Sequence, residues 1–223
     1  MTRRPLFYGL CLLLGAVMFG VAGLMHPLLS GDGAAQLVTI AATGAWRTIH
    51  WLLLFGLALM YSGLVGVGLR HGDTAGSTPG RAGVLMGAFA FSVWSLNLLF
   101  MVGAGWHLAS AHARADPGLT ATHAVFLYDM LHPMGLAAER LATFMIGVVA
   151  YMFGWTIRTG ALYPRWLAWI AFVVALVDCA VGVVVGERTP NFYYYGQALF
   201  VIWLGATAVV MLTERPPRPL RQP

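Results

Sequence analysis

The chain has 223 residues, of which 59% are hydrophobic and only 9% charged, with no lysine and a formal net charge of +5. Soluble domains carry about 25% charged residues, so this composition excludes a soluble domain, a disordered chain, a coiled coil and a disulfide scaffold. An integral membrane protein is expected. The basic residues stand singly at the ends of apolar runs and form no stripe, so the expected partner is a lipid bilayer and not nucleic acid.

A membrane-crossing helix needs about 20 apolar residues. In chain order the runs of that length are Leu6 to Met25, Thr48 to Leu69, Ala82 to Trp106, Pro133 to Ile157, Pro164 to Val185 and Phe192 to Leu212. The first is too long for the apolar stretch of a cleaved signal and reads as a retained helix. Cys11 and Cys179 fall in different runs, so two free thiols are expected. Arg3, Arg4, Arg70, Arg81, Arg158, Arg165, Arg215, Arg218 and Arg221 gather at one set of helix ends. The positive-inside rule then gives both termini cytoplasmic. Asp116-Pro117 offers an N-cap and a first-turn proline, predicting that the fourth helix starts there as an outer amphipathic arm. Pro133, which lacks an N–H and crowds the carbonyl four residues back, predicts a kink between that arm and the membrane part. Thr159-Gly160 and Pro164 make a tight turn, so the fourth and fifth helices are antiparallel neighbours. The expected organisation is an all-α bundle of six transmembrane helices in one domain, residues 1–213, followed by a disordered cytoplasmic tail, 214–223.

Polar side chains are costly in a bilayer and mark interiors or cavities. His26 ends the first helix, His50 opens the second, His107 ends the third and His132 opens the membrane part of the fourth, all near the outer face. A few turns deeper come Asn97, Glu139, Arg140 and Asp178, with Gln197 above them. Asp129, His132, Leu136 and Glu139 follow helical rows of one face. A carboxylate one turn from an imidazole, as Asp129 is from His132, fits a tautomer-fixing role.

Neutral imidazoles on facing helices suit ligation of haem iron, copper or zinc. His50 and His132 are the candidate haem b ligands, with Arg47 and Arg140 as partners for the propionates. His26 and His107 are the alternative pair, and a transition metal would draw on His26, His50, His107, His132 and Asp129. Glu139 and Asp178 are the candidate catalytic or proton-path carboxylates; a buried ion-pair network with Arg140 is the structural alternative. Trp46, Trp51, Trp106 and the tyrosines at 193–195 read as an interfacial aromatic belt. Metalloprotease, thioredoxin-like, P-loop and hydrolase motifs are absent.

The segments Met25–Pro27 (M-H-P), Trp46–His50 (W-R-T-I-H) and Thr159–Leu167 (T-G-A-L-Y-P-R-W-L) resemble uncharacterised bacterial six-helix membrane proteins. Histidines at the outer starts of the second and fourth helices, His50 and His132, also resemble the bis-histidine pair in one four-helix half of haem A synthase. Position 46 is Trp where that family has the Glu of its E-x-x-x-H pattern, and the family's outer cysteine pair is missing. The resemblance therefore implies a haem geometry and an electron-transfer or redox role on a lipid-soluble substrate, with a redox partner. The rival reading is a cofactor-free membrane protein: a small carrier using Glu139, Arg140 and Asp178, or an accessory subunit of a larger membrane complex. An accessory subunit would use a row of small residues facing lipid, which Gly15, Gly20, Gly63 and Gly66 to Gly68 could form, although such glycines are equally expected inside a lone bundle.

Overall fold

A computed structural model of the chain describes residues 4–114, 120–184 and 191–213. These residues form helices with no strand among them: α1 (Arg4–Met25), α2 (Gly33–Ala42), α3 (Trp46–Arg70), α4 (Ser77–Phe100), α5 (Trp106–Arg114), α6 (Ala121–Gly160), α7 (Arg165–Val184) and α8 (Asn191–Thr213). A five-residue π-helical turn, Met101–Gly105, joins α4 to α5 without a break. Six of the described helical segments are long and apolar enough to cross a membrane, in the six regions expected from composition.

The membrane helices pack as a closed ring in chain order: α1 on α3, α3 on α4, α4 on α6, α6 on α7, α7 on α8, and α8 back on α1. Apart from the few polar residues of the site, each helix is apolar on both its lipid-facing and its buried side. On α1, Leu10, Leu14, Val17, Val21 and Leu24 face outward, while Leu12, Ala16, Phe19 and Ala22 are buried. Without a hydrophobic gain from leaving lipid, such helices associate by close packing, and small residues permit it. A Cβ on Gly15 would lie 2.6 Å from the Met60 backbone nitrogen, and one on Gly63 would lie 2.7 Å from Leu12. Gly66 likewise closes on Tyr8. These three glycines are spent on the contact between α1 and α3, inside the bundle and not in a lipid-facing row. On the other side of the ring, Gly147 of α6 takes the Cys179 thiol of α7, where a Cβ would stand 2.6 Å from the sulfur. Cys11 and Cys179 are both free.

The two ends of the bundle differ. At the end carrying Arg70, Arg81, Arg158 and Arg165, His71 is fully buried and its ring lies 5.3 Å from that of Tyr163. Arg70 stacks over the same Tyr163 ring at 5.1 Å. At the opposite end the chain extends past the bundle. With 40 residues at 1.5 Å each, α6 is about 60 Å long, roughly twice a hydrocarbon core. Its first turns, with α2 and α5, build an apolar cap around Leu37, Ile40, Trp46, Met101, Leu108, Ala124 and Tyr128.

Residues 115–119 lie outside the described set, and with them the start at Asp116-Pro117. The described helix begins at Ala121, where Thr120 is the N-cap and accepts from the His123 backbone N–H at 3.3 Å. The helix then continues through Pro133. The tail, 214–223, is also outside the described residues. The short α2 is not among the expected elements; Asp32 caps it by accepting from Ala35 N–H at 2.9 Å.

Candidate functional site

A cavity of about 380 Å³ opens at the capped end, inside the range of small-molecule sites. Five of the six membrane helices line it: α1 through Phe19 and Gly23, α3 through His50 and Leu53, α4 through Trp94, Asn97 and Leu98, α6 through His132, Leu136, Glu139 and Arg140, and α8 through Gln197. His26 and the segment Leu28–Gly31 close its mouth together with Gln36 of α2. The walls are apolar and the polar groups stand at two levels, imidazoles near the mouth and the Glu139 group at the floor.

The floor is held by three helices. The Glu139 carboxylate accepts from Asn97 Nδ2 at 3.2 Å through one oxygen and from Gln197 Nε2 at 3.1 Å through the other. One donor on each oxygen fixes the plane of the carboxylate. Asn97 is buried, its Oδ1 makes no hydrogen bond, and that oxygen occupies the space a Cβ on Gly135 would need. Gly135 is thus required by the position of Asn97, and Asn97 by the carboxylate.

The mouth is built around Trp46, which is fully buried. Its indole N–H donates to the Met101 carbonyl at 3.0 Å, at the first residue of the π turn. Trp46 is therefore a structural post of the site, which corrects its assignment to the interfacial belt. One turn on, His50 is 1% exposed and its Nδ1 lies 2.9 Å from the Trp46 carbonyl. A carbonyl only accepts, so Nδ1 carries the hydrogen and Nε2 is left as the nitrogen available to a ligand. The His26 ring stands edge-on to His50 at 5.0 Å and lies 5.1 Å from Trp46. Burial pushes His26 below the ordinary imidazole range, and its hydrogen bond to the Pro27 carbonyl offsets part of that. Across the cavity, His132 stacks on Tyr128 at 4.6 Å. The Tyr128 hydroxyl donates to Gln36 Oε1 at 2.9 Å, and Gln36 Nε2 donates to the Gly31 carbonyl at 3.0 Å, tying the cap to the mouth.

Of the residues singled out from the sequence, the cavity thus gathers His26, His50, His132, Glu139 and Arg140, with Asn97 and Gln197. Four residues fall elsewhere. Arg47 is exposed and is not among the residues that line the cavity. His107 is exposed on α5, beyond the π turn, whose wider coil breaks the helical register that led to its placement. Asp129 is exposed, with its carboxylate against Gly33 at the start of α2 and not in the cavity. Asp178 is buried in α7 beside Gly196 of α8, outside the lining, and forms no hydrogen bond, so it is no part of an ion-pair network. Among the described residues no group of three or more His, Cys, Asp or Glu stands close enough to hold a metal ion. The set His26, His50, His107, His132 and Asp129 is accordingly divided between the cavity, α5 and the contact of α6 with α2. Gln36 and the α1–α2 segment were not foreseen; Asp32 as a cap signal was available for them.

The chain matches no known protein family, no curated protein and no solved structure. The site must be interpreted from its own chemistry.

Proposed function

We propose that this chain is a multi-pass protein of a bacterial plasma membrane that binds haem b in the end cavity and serves electron transfer or redox chemistry on a lipid-soluble substrate. The observation that carries the reading is that His50 of α3 and His132 of α6 line one cavity, while His50 already commits Nδ1 to the Trp46 carbonyl. An imidazole fixed in this way offers Nε2 to iron. Haem bound there would supply one-electron chemistry. In that case His50 and His132 would hold the group, Phe19, Leu53, Trp94 and Leu98 would cover it, and Arg140 would meet an anionic substituent. Arginines at the opposite bundle end orient the cavity away from the cytoplasm by the positive-inside rule. Copper or zinc is not part of the proposal, because no third ligand joins the imidazoles among the described residues.

The test is haem content. Protein produced with haem available carries about one haem b per chain, and His50→Ala or His132→Ala abolishes it, whereas His107→Ala leaves it intact. Folded wild-type protein without haem contradicts the reading. That outcome supports a second reading, a cofactor-free carrier or binding protein for a small hydrogen-bond donor, which rests on the Glu139 carboxylate clamped between Asn97 and Gln197.

A further inference from the structure

Asp178 lies within a membrane-spanning helix, is 1% exposed, and neither of its oxygens makes a hydrogen bond. An ionised carboxylate in such surroundings has lost its water and gained nothing in return, and the usual resolution is to bind a proton. Among the described residues its neighbours offer no counter-charge. On α7 the adjacent Cys179 directs its thiol to the Phe144 carbonyl of α6, 3.6 Å away. On α8, the residues from Gly196 to Thr213 include no titratable side chain. On α6 the charged residues at this end of the bundle are Asp129, whose carboxylate lies against Gly33 of α2, and Glu139 and Arg140, which line the cavity; none of them bonds Asp178.

Asp178 is nonetheless connected to the cavity. Its Oδ1 fills the space that a Cβ on Gly196 would need, so the carboxyl rests directly on the backbone of α8. The next residue, Gln197, donates to Glu139 at 3.1 Å. Two acids on α6 and α7 are thus joined through consecutive residues of α8.

We propose that Asp178 is a proton-binding site, carrying its proton in the folded protein at neutral pH, and that its release of the proton is felt at Glu139 through Gly196 and Gln197. The neutral acid tolerates its apolar seam; the anion does not, and its formation displaces the α8 backbone that positions Gln197. The cavity group and the proton site are then coupled reciprocally, as any two linked sites must be. The proposal does not depend on haem being the occupant of the cavity.

Infrared spectroscopy of the full chain in lipid tests it without altering the protein. Of the five aspartates in the chain, Asp178 is the one buried in a span among the described residues. A protonated-carboxyl C=O band at neutral pH that shifts on carboxyl-13C labelling of aspartate, is lost in Asp178→Asn and fades as pH is raised is the expected result. Absence of any aspartate-sensitive band of this kind at neutral pH overturns the proton site. In a parallel sample labelled on glutamate, the Glu139 carboxylate bands, identified by their loss in Glu139→Gln, shift as the Asp178 band fades. Glutamate bands that stay constant through that titration overturn the coupling.

Discussion

Replacing Trp46 by Phe removes one N–H and part of one ring from a fully buried position, and its cost can be worked from the structure. The indole donates to the Met101 carbonyl at 3.0 Å, and in the variant that carbonyl stands buried without this donor. An unsatisfied buried acceptor costs about 1–3 kcal/mol, with the lower end more apt in a membrane protein, whose unfolded state also finds partners in lipid. Trimming indole to phenyl against His50, 4.3 Å away, adds about 1 kcal/mol for the void. The sum is about 2–3 kcal/mol, roughly 30-fold or more in the unfolding equilibrium. Reversible unfolding in mixed micelles by graded addition of a denaturing detergent, followed by circular dichroism, measures it. Trp51→Phe is the control, because Trp51 is 41% exposed and its substitution belongs with surface changes of within about 0.5 kcal/mol. If the two variants unfold alike, Trp46 is not the post of the mouth and the reasoning fails.

Other expectations follow from the same contacts. Gly135→Ala puts a methyl where Asn97 Oδ1 sits, so it displaces the Asn97 amide and destabilises the fold by about 1–2 kcal/mol; a crystal or cryo-EM structure with the bond from Asn97 to Glu139 intact counts against it. Gly147→Leu forces apart α6 and α7 at Cys179 and costs about 2 kcal/mol or more through overpacking, read as a lower thermal midpoint, while Gly23→Ala, with open space around it, leaves the midpoint unchanged. His26 is held below its ordinary value by burial, so the unfolded chain binds its proton at a higher pH than the folded chain does. Its contribution is therefore complete above the ordinary imidazole value and is lost as pH falls through and below it. Stability measured across mildly acidic pH declines in the wild type and less steeply in His26→Gln; equal slopes refute the assignment.

Much of this architecture could be read from the sequence because lipid enforces it. Runs of about 20 apolar residues admit one structure in a bilayer, and the depth of Glu139 and of the histidines follows from counting turns along each run. What escaped is tertiary. The ten-residue α2 is too short to be recognised by span length, and without it Asp129 had only His132 as an apparent partner. Trp46 starts its helix at an interface, where a belt tryptophan is the ordinary reading, and its burial depends on a π turn 55 residues further along the chain. That turn also rotates His107 off the face on which uniform α-helical counting places it. Asp178 and Arg140 share a depth, but depth along two helices says nothing of rotation, and rotation sends Asp178 to α8 and Arg140 to the cavity. The pairing of His26 with His50 depends on how the segment after α1 folds back, which the residues Pro27 to Gly31 leave open until α2 is known.

Haem held between His50 and His132 would be visible in the absorption spectrum of the purified, haem-supplied protein. The expected result is a low-spin spectrum whose α and β bands sharpen on reduction with dithionite and disappear in His50→Ala and in His132→Ala, with His107→Ala and Arg47→Ala unchanged. A folded protein that shows no haem bands, or one whose bands survive both cavity variants, contradicts it.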